Sequence, residues 1–335
     1  MPKIQDMDSF AALGPDEIIS TAEAATSSHF TPYCLALNSY INRVYELEKE
    51  DGTRLIAKFY RPGRWSKKAI LEEHAFVGEL AQQELSVVSP LSLNGDQTLF
   101  CHNSIYYALY PKRSGRFLDE YSLEQWQELG RFIGRMHTIA ATKKAEARPV
   151  LLPDHMTRKQ IEFLLSGDFF PSELAPLFER VCRELLELIT PLFTDADTIR
   201  LHGDCHFGNI LHRSQESFLL IDFDDMVMGP AVQDFWMVLP GYRDDSFQEI
   251  EHFLDGYEVF RAFDRRELAL IEPLRAMRYI HFMAWCAYQS HDRQAASTII
   301  PDWGTEGYWQ REIGDLETQI VRIKQGNSQE FYQGW

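Results

Sequence analysis

The run LHGDCHFGNI, Leu201 to Ile210, decides how the rest of the chain is read. It sets His202, Asp204, Cys205, His206 and Asn209 within eight positions, with Gly203 and Gly208 between them. Asp204 and Asn209 are five apart, and Asp222 follows thirteen further on, at the end of the apolar run FLLI. A strand that ends in an acid, beside a loop offering an acid and an amide, gathers hard oxygen ligands. Mg²⁺ takes few protein oxygens and completes its shell with water and phosphate oxygens. Asn209 and Asp222 suit that role, and Asp204 is left to accept a proton from an attacking hydroxyl. An Asp, an Asn five residues on and a later Asp are what phosphoryl transfer from ATP requires. A second reading is a zinc hydrolase, since His202, Asp204 and His206 alternate and would share one face of a strand. Against it, two glycines weaken a strand here, and no second histidine cluster supplies further ligands. A Cys205 nucleophile served by His206 is disfavoured because adjacent side chains diverge. The plainest alternative is a polar surface loop, which a cluster this dense does not favour.

Composition bounds the answer. At 335 residues the chain exceeds the usual single core, so two lobes are expected. Hydrophobic residues make up 45% and charged residues 25%, the balance of an ordinary globular protein. No apolar run approaches the roughly 18 residues of a membrane span, and MPKIQDMDSF has no signal-peptide core. The cytoplasm is the expected compartment. Five scattered cysteines without C-x-x-C spacing argue against a disulfide framework and a structural zinc site. A net charge of −17 disfavours a nucleic-acid partner.

Along the chain, Pro15 opens a helix through IISTAEAA. The β-like runs TPYCLAL, NRVYELE and TRLIAKFY follow, the last two joined by Asp51-Gly52, a strong hairpin signal. SKKAILEEHAFVGELAQQ has helical period, and QTLFC and IYYALY flank a turn at His102-Asn103. Beyond YPKRSGR, Tyr110 to Arg116, helices dominate. Ser122 with Gln125 forms a capping box for a helix through Met136, and Asp264 with Glu267 does so for one reaching towards Tyr288. TIRLHG and SFLLIDF are short β-like runs inside this helical half. The expected fold is therefore α+β in two lobes, with the nucleotide cleft between them. Residues 1–111 form a small β-rich N-terminal lobe, and residues 112–335 form a larger helical lobe holding the loop 201–210 and the strand end 218–225.

LIAKFY adds an independent signal. Alternation puts Ile56, Lys58 and Tyr60 on one strand face, so Lys58 sits between apolar neighbours. A lone lysine on an exposed face would be unremarked, but phosphoryl transfer calls for a strand lysine on the nucleotide phosphates, paired with a helix glutamate. In the following helix, Ile70, Val77 and Leu80 define the buried stripe; Glu73 falls inside it and Glu72 outside. A carboxylate there wants a cationic partner, which predicts a Lys58–Glu73 pair.

Together these residues resemble the protein-kinase-like superfamily, in its aminoglycoside and choline kinase branch, where H-G-D-x-H-x-x-N is followed by I-D-F/W. HGDCHFGN and IDFDD match it here. LNSYINRVYEL, KFYRPGRW, GPAVQDFWM and IEPLRAMR resemble more narrowly a bacterial family of stress response Ser/Thr protein kinases, the RdoA type. The resemblance runs from about Leu37 to about Trp309. It implies an ATP- and Mg²⁺-dependent kinase acting on a protein Ser/Thr hydroxyl, its own included, as a cytoplasmic monomer with no membrane or nucleic-acid partner. By it, Asp204 is the proton acceptor and Asp222 and Asn209 hold the metal, Asp222 thereby belonging to the catalytic pair. Ser39, Lys58 and Glu73 serve the nucleotide, and Leu109 to Pro111 form the adenine hinge. Asp234 of QDFW steadies the catalytic-loop backbone, although a helix cap explains it equally well from sequence. The chain departs from conventional protein kinases in having NSYIN for the glycine-rich loop, H-G-D for H-R-D and D-F-D for D-F-G. Six residues separate Asp222 from Gly229-Pro230, too few for a long activation segment, so a constitutively ordered site is expected and a peptide platform is missing. A small-molecule kinase on the same fold, acting on an amino alcohol, sugar or aminoglycoside hydroxyl, therefore stays open, as does a non-catalytic pseudokinase.

Overall fold

The computed structural model describes residues 13–39, 41–213, 217–290 and 300–328. Strands β1 (Phe30–Leu37), β2 (Arg43–Lys49), β3 (Arg54–Phe59), β4 (Phe100–His102) and β5 (Ile105–Pro111) form an antiparallel sheet in the order β1-β2-β3-β5-β4. The Asp51-Gly52 hairpin forms as expected. Gly52 has φ +83°, and the Asp51 carboxylate accepts the Thr53 N–H at 2.8 Å.

Alternation along β3 decides what covers each face. Leu55, Ala57 and Phe59 join Leu47, Tyr107 and Leu109 in a core closed by Ile18, Ala22 and Ala25 of α1 (Pro15–Thr26). Tyr60, just past β3, joins Ile70, Leu99 and Ala108 on the opposite face. Ile70 belongs to α2 (Lys67–Gln82), whose N-cap Ser66 accepts the Ala69 N–H at 3.1 Å. Glu73 is buried with Ile70, Val77 and Leu80, as the stripe predicts.

Downstream lie α3 (Leu123–Ala140), α4 (Arg158–Ser166), α5 (Ala175–Ile189), β6 (Ile199–Leu201), β7 (Ile210–Arg213), β8 (Ser217–Leu220) and β9 (Val227–Gly229). They are followed by α6 (Gln233–Trp236), α7 (Phe247–Tyr257), α8 (Ile271–Ser290) and α9 (Glu306–Ser328). The Ser122–Gln125 capping box is reciprocal: the Ser122 N–H donates to Gln125 Oε1 at 2.8 Å, and the Gln125 N–H to Ser122 Oγ at 3.3 Å. Asp264 caps a 3₁₀ turn, Arg265–Leu270, ahead of α8, so the expected single helix starts later than its capping signal. The two expected β-like runs form strands but do not pair with each other: β6, from TIRLHG, pairs with β9, and β8, from SFLLIDF, makes a hairpin with β7, a strand the sequence pattern did not mark.

The chain divides into two compact units, and the division does not fall at residue 111. The first comprises residues 1–121, 138–148 and 204–226; the second comprises 122–137, 149–203 and 227–335. The physical reason lies in the β7–β8 hairpin. Its Leu220 N–H donates to the Ser86 carbonyl at 3.0 Å, and His212 exchanges backbone hydrogen bonds with Arg116 at 2.8 and 3.0 Å. Among the described residues, no helix is long and apolar enough to cross a membrane. None of the five cysteines forms a disulfide.

In the second unit, α3 and α7 meet backbone to backbone. A Cβ at Gly130 would lie 1.9 Å from the Phe253 carbonyl oxygen, and one at Gly256 would lie 1.9 Å from that of Gln127. Gly130→Ala gains about 1 kcal/mol of helix propensity but must push two backbones apart, at a cost of about 1–3 kcal/mol or more. Net destabilisation is the expected outcome, read as a lower urea midpoint at unchanged slope.

Candidate active site

The first unit brings Asp204, Asn209, Asp222 and Lys58 together. After β6 the chain turns at Gly203 (φ +86°) and enters the 3₁₀ turn Phe207–Asn209. Asn209 is buried, and its Nδ2 donates to the Asp204 carbonyl at 2.9 Å and reaches Asp204 Oδ2 at 3.4 Å. The Asn209 carbonyl accepts the Ile221 N–H at 3.0 Å, which sets Asp222 beside the loop. Asp222 is left-handed, with φ 60° and ψ 72°. A non-glycine residue held there stores about 1–3 kcal/mol and is typical of functional turns. Its carboxylate accepts a hydrogen bond from Lys58 Nζ at 2.7 Å and is half exposed.

Lys58 itself is buried and also lies 3.3 Å from Asp224 Oδ1. Burial works against its charge, yet Asp222, Asp224 and then Glu73 hold its pKa well above the ordinary lysine value. Asp224 is buried too. Burial opposes its charge as well, but Lys58, Arg64 and Arg148, with a hydrogen bond from Asn42, keep it far below the usual carboxylate range.

The expected Lys58–Glu73 pair is not the contact found. Glu73 Oε2 accepts from Arg148 Nη2 at 2.8 Å, and Arg148 is fully buried. Arg148 gets there because Glu72, on the neighbouring edge of α2, accepts the Glu146 and Ala147 N–H groups at 3.1 and 2.8 Å. Burial pushes the Glu73 carboxyl up to about 7, against the downward pull of Lys58 and Arg148. Arg148 and Asp224 are the site residues sequence reasoning missed. D-F-D marked Asp224 as unusual, but Arg148, in ARPV between helices, sits in no periodic pattern.

Ser39 lies in the β1–β2 turn, partly buried, and Tyr40 of NSYIN is outside the described residues. The Leu109 carbonyl in the expected hinge already accepts the Leu91 N–H at 2.7 Å. His202 is fully buried, and His206 Nε2 stands 3.4 Å from Asp204 Oδ2. Among the described residues, no three His, Cys, Asp or Glu side chains gather as a metal cage, which removes the zinc reading's ligand set. Asn209 and Asp222 do fit a hard cation. Asp222 offers a half-exposed carboxylate, and the only hydrogen bonds described for the Asn209 side chain are donated by Nδ2, leaving Oδ1 to ligate.

The backbone just ahead of Asp204 is clamped within the second unit. Asp234 accepts the N–H groups of His202 and Gly203, each at 2.8 Å. The helix-cap reading of Asp234 therefore gives way to the loop-holding one. His137 Nε2 lies 3.1 Å from Asp234 Oδ2, and its Nδ1 lies 2.9 Å from Tyr257 Oη, with all three side chains buried. His137 thus bridges the Asp234 carboxylate and the Tyr257 hydroxyl. The α3–α7 glycine contact is what brings His137 and Tyr257 within reach.

The fold is that of small-molecule kinases. Amicoumacin kinase hAmiN, solved with AMP-PNP, Ca²⁺ and Ami, superposes with TM-score 0.75 at 20% identity, covering 95% of this chain and 96% of that one. Choline kinase LicA from Streptococcus pneumoniae gives TM-score 0.63 at 17% identity, covering 90% of this chain and 98% of that one. Residues 34–271 match the phosphotransferase enzyme family APH, and the chain belongs to that family as an ATP-dependent kinase. Over 324 residues it is 38% identical to stress response kinase A of Escherichia coli K12, covering 94% of this chain and 95% of the relative. Over 278 residues it is 40% identical to the serine/threonine protein kinase RdoA of Salmonella typhimurium LT2, covering 82% and 83%.

Two outcomes are expected. Asp234→Ala orphans the buried His202 N–H at about 1–3 kcal/mol and releases the part-buried Gly203 N–H; calorimetry should show the loss, and turnover measured well below the melting temperature should fall at least tenfold. His74, held by Tyr60 Oη at 2.8 Å and Thr98 Oγ1 at 2.9 Å, is pushed down to about 3, first by burial and then by Lys58 and Arg148. The unfolded chain takes up that proton near 6.5, so His74's share of stability is full above 6.5 and is lost as pH falls towards 3. Relative to His74→Gln, wild type should lose up to about 1.4 kcal/mol per pH unit below 6.5 in urea titrations.

Proposed function

We propose that this kinase transfers the γ-phosphoryl group of ATP, with Mg²⁺, to serine or threonine hydroxyls of proteins, its own among them. The observation that carries the reading is the convergence of three distant segments. The Lys58–Asp222 contact at 2.7 Å, the Ile221–Asn209 backbone bond at 3.0 Å and the Asn209–Asp204 bond at 2.9 Å tie them into one cluster. The protein acceptor is supported by the 37–40% identical relatives, which are named stress response kinase A and serine/threonine protein kinase RdoA. The same names support a stress-response role; in our reading the kinase works in the cytoplasm as a monomer, as the family resemblance implies.

In this reading Asn209 and Asp222 hold Mg²⁺, which when bound supplies charge compensation at the β- and γ-phosphates. Lys58 neutralises phosphate charge, and Ser39 contacts the phosphates from the β1–β2 turn. Asp204, fixed by Asn209 Nδ2, orients the acceptor hydroxyl and takes its proton, so that an O–P bond forms as the bond to the ADP oxygen breaks. The transition state is loose, and positioning with charge compensation does most of the work. Residues 1–111 provide the nucleotide contacts, and residues 112–335 provide the catalytic loop and the metal-binding strand end.

A small-molecule acceptor is the second reading. The structural neighbours named for amicoumacin, spectinomycin and choline favour it, as does the short stretch from Asp222 to Gly229, which forms a 3₁₀ turn and a strand and no extended platform. Labelled ATP with the protein alone separates the two. Self-labelling on Ser or Thr supports the protein kinase, and turnover only with an added metabolite supports the other. Asp204→Asn should cut transfer by about 10²–10⁴-fold with ATP affinity retained, and Asp222→Asn should abolish Mg²⁺-dependent nucleotide binding by calorimetry. Wild-type turnover in both variants would refute the assignment.

A further inference from the structure

Glu73 acts on Lys58 only through its charge, because its ion pair is made with Arg148. Arg148 spends three donors in a buried place: Nε on the Ala69 carbonyl at 2.9 Å, Nη1 on the Asp224 carbonyl at 2.6 Å and Nη2 on Glu73 Oε2 at 2.8 Å. Its guanidinium also lies over the Trp65 ring at 4.4 Å. Releasing Glu73 towards Lys58 would leave Arg148 buried beside an unmatched contact, which is strongly unfavourable. Asp222, the other neighbour of Lys58, is half exposed and is the carboxylate the proposed metal would claim. Asp224 remains. It is buried, stands 3.3 Å from Lys58 Nζ, and is itself fixed through Arg64 Nη2 at 3.5 Å and the Arg148 bond to its carbonyl. Arg64 is held in turn by Asp225 at 2.5 Å. The turn is also packed from α2, where Phe76 meets Phe223 edge to face at 5.8 Å.

We infer that Asp224, and not Glu73, is the positioning carboxylate that holds Lys58 ready for the nucleotide phosphates, while Glu73 and Arg148 form a fixed strut from α2 to the 223–225 turn. The inference rests on the phosphotransferase reading of this site and goes further, because it removes a control point. A kinase that makes and breaks a strand-lysine pair by moving its helix can be switched there. Here the lysine's anchor sits two residues past the strand-end acid, on the turn that the strut binds to α2, so α2 has no separate pair with Lys58 to make and break.

The test uses the full-length protein and a lysine-reactive acyl-phosphate ATP probe, with acylation of Lys58 read by peptide mass spectrometry alongside KM for ATP and melting temperature. ATP-competable labelling of wild-type Lys58 is the expected baseline, and its absence would contradict the nucleotide reading itself. Asp224→Asn should lower Lys58 labelling and raise the ATP KM at least tenfold, with Asp224→Glu restoring most of the labelling. Glu73→Gln should lower the melting temperature yet change labelling and KM less than threefold. A tenfold loss of labelling in folded Glu73→Gln, with Asp224→Asn near wild type, would overturn the inference. If Asp224→Asn does not fold, Glu73→Gln alone decides in the same two directions.

Discussion

The contact between Lys58 and Asp222, 164 residues apart in sequence, is the interaction on which the site depends. It ties β3 to the end of β8, and it can exist only because burial of the lysine is answered by carboxylates. A buried ammonium without a partner costs several kcal/mol, and removing one member of such a pair typically costs about 3–5 kcal/mol. Here Lys58, Arg64 and Arg148 are met by Glu73, Asp222, Asp224 and Asp225. The cluster is therefore a positioning device before it is a source of stability. Nonpolar side chains would pack the same space without the desolvation cost, but they could not present a cation and an acid at fixed places.

That cluster also explains the grouping of the chain. The hairpin β7–β8 carries Asp222 at its exit and Asn209 at its entrance, and its backbone bonds to Ser86 and Arg116 join it to the first unit. The residues immediately before Asp204 are held in the second unit by Asp234, whose carboxylate is oriented by His137 and Tyr257. The loop therefore runs from a clamped backbone at His202-Gly203 into the cluster itself, and Gly203 with φ +86° makes the turn between the two.

Much of this was legible in the residues. The spacing of Asp204, Asn209 and Asp222 foretold their convergence, because five residues span one tight turn and the apolar FLLI run carries the chain to the third acid. Alternation in LIAKFY placed Lys58 on the inward face, and helical period placed Glu73 in the buried stripe. The partner of Glu73 was not legible. Pattern reading says that a buried carboxylate needs a cation but not which one, and Arg148 arrives from an irregular segment steered by Glu72. The boundary at residue 111 tracks the composition shift from strands to helices, whereas compactness follows backbone hydrogen bonds from Leu220 to Ser86 and between His212 and Arg116, which join segments flanking the sheet to a hairpin about a hundred residues downstream. Asp234 was equally a cap or a clamp in sequence; only the two 2.8 Å bonds to His202 and Gly203 decide it.

These side chains should surround the terminal phosphate of bound ATP, and a crystal structure of the complex with a non-hydrolysable ATP analogue and Mg²⁺ would show it. The ion is expected between Asn209 Oδ1 and the Asp222 carboxylate, with Lys58 on the phosphates and Asp204 facing the γ-phosphorus. A nucleotide bound elsewhere, or an ion ligated by neither Asn209 nor Asp222, would contradict that arrangement.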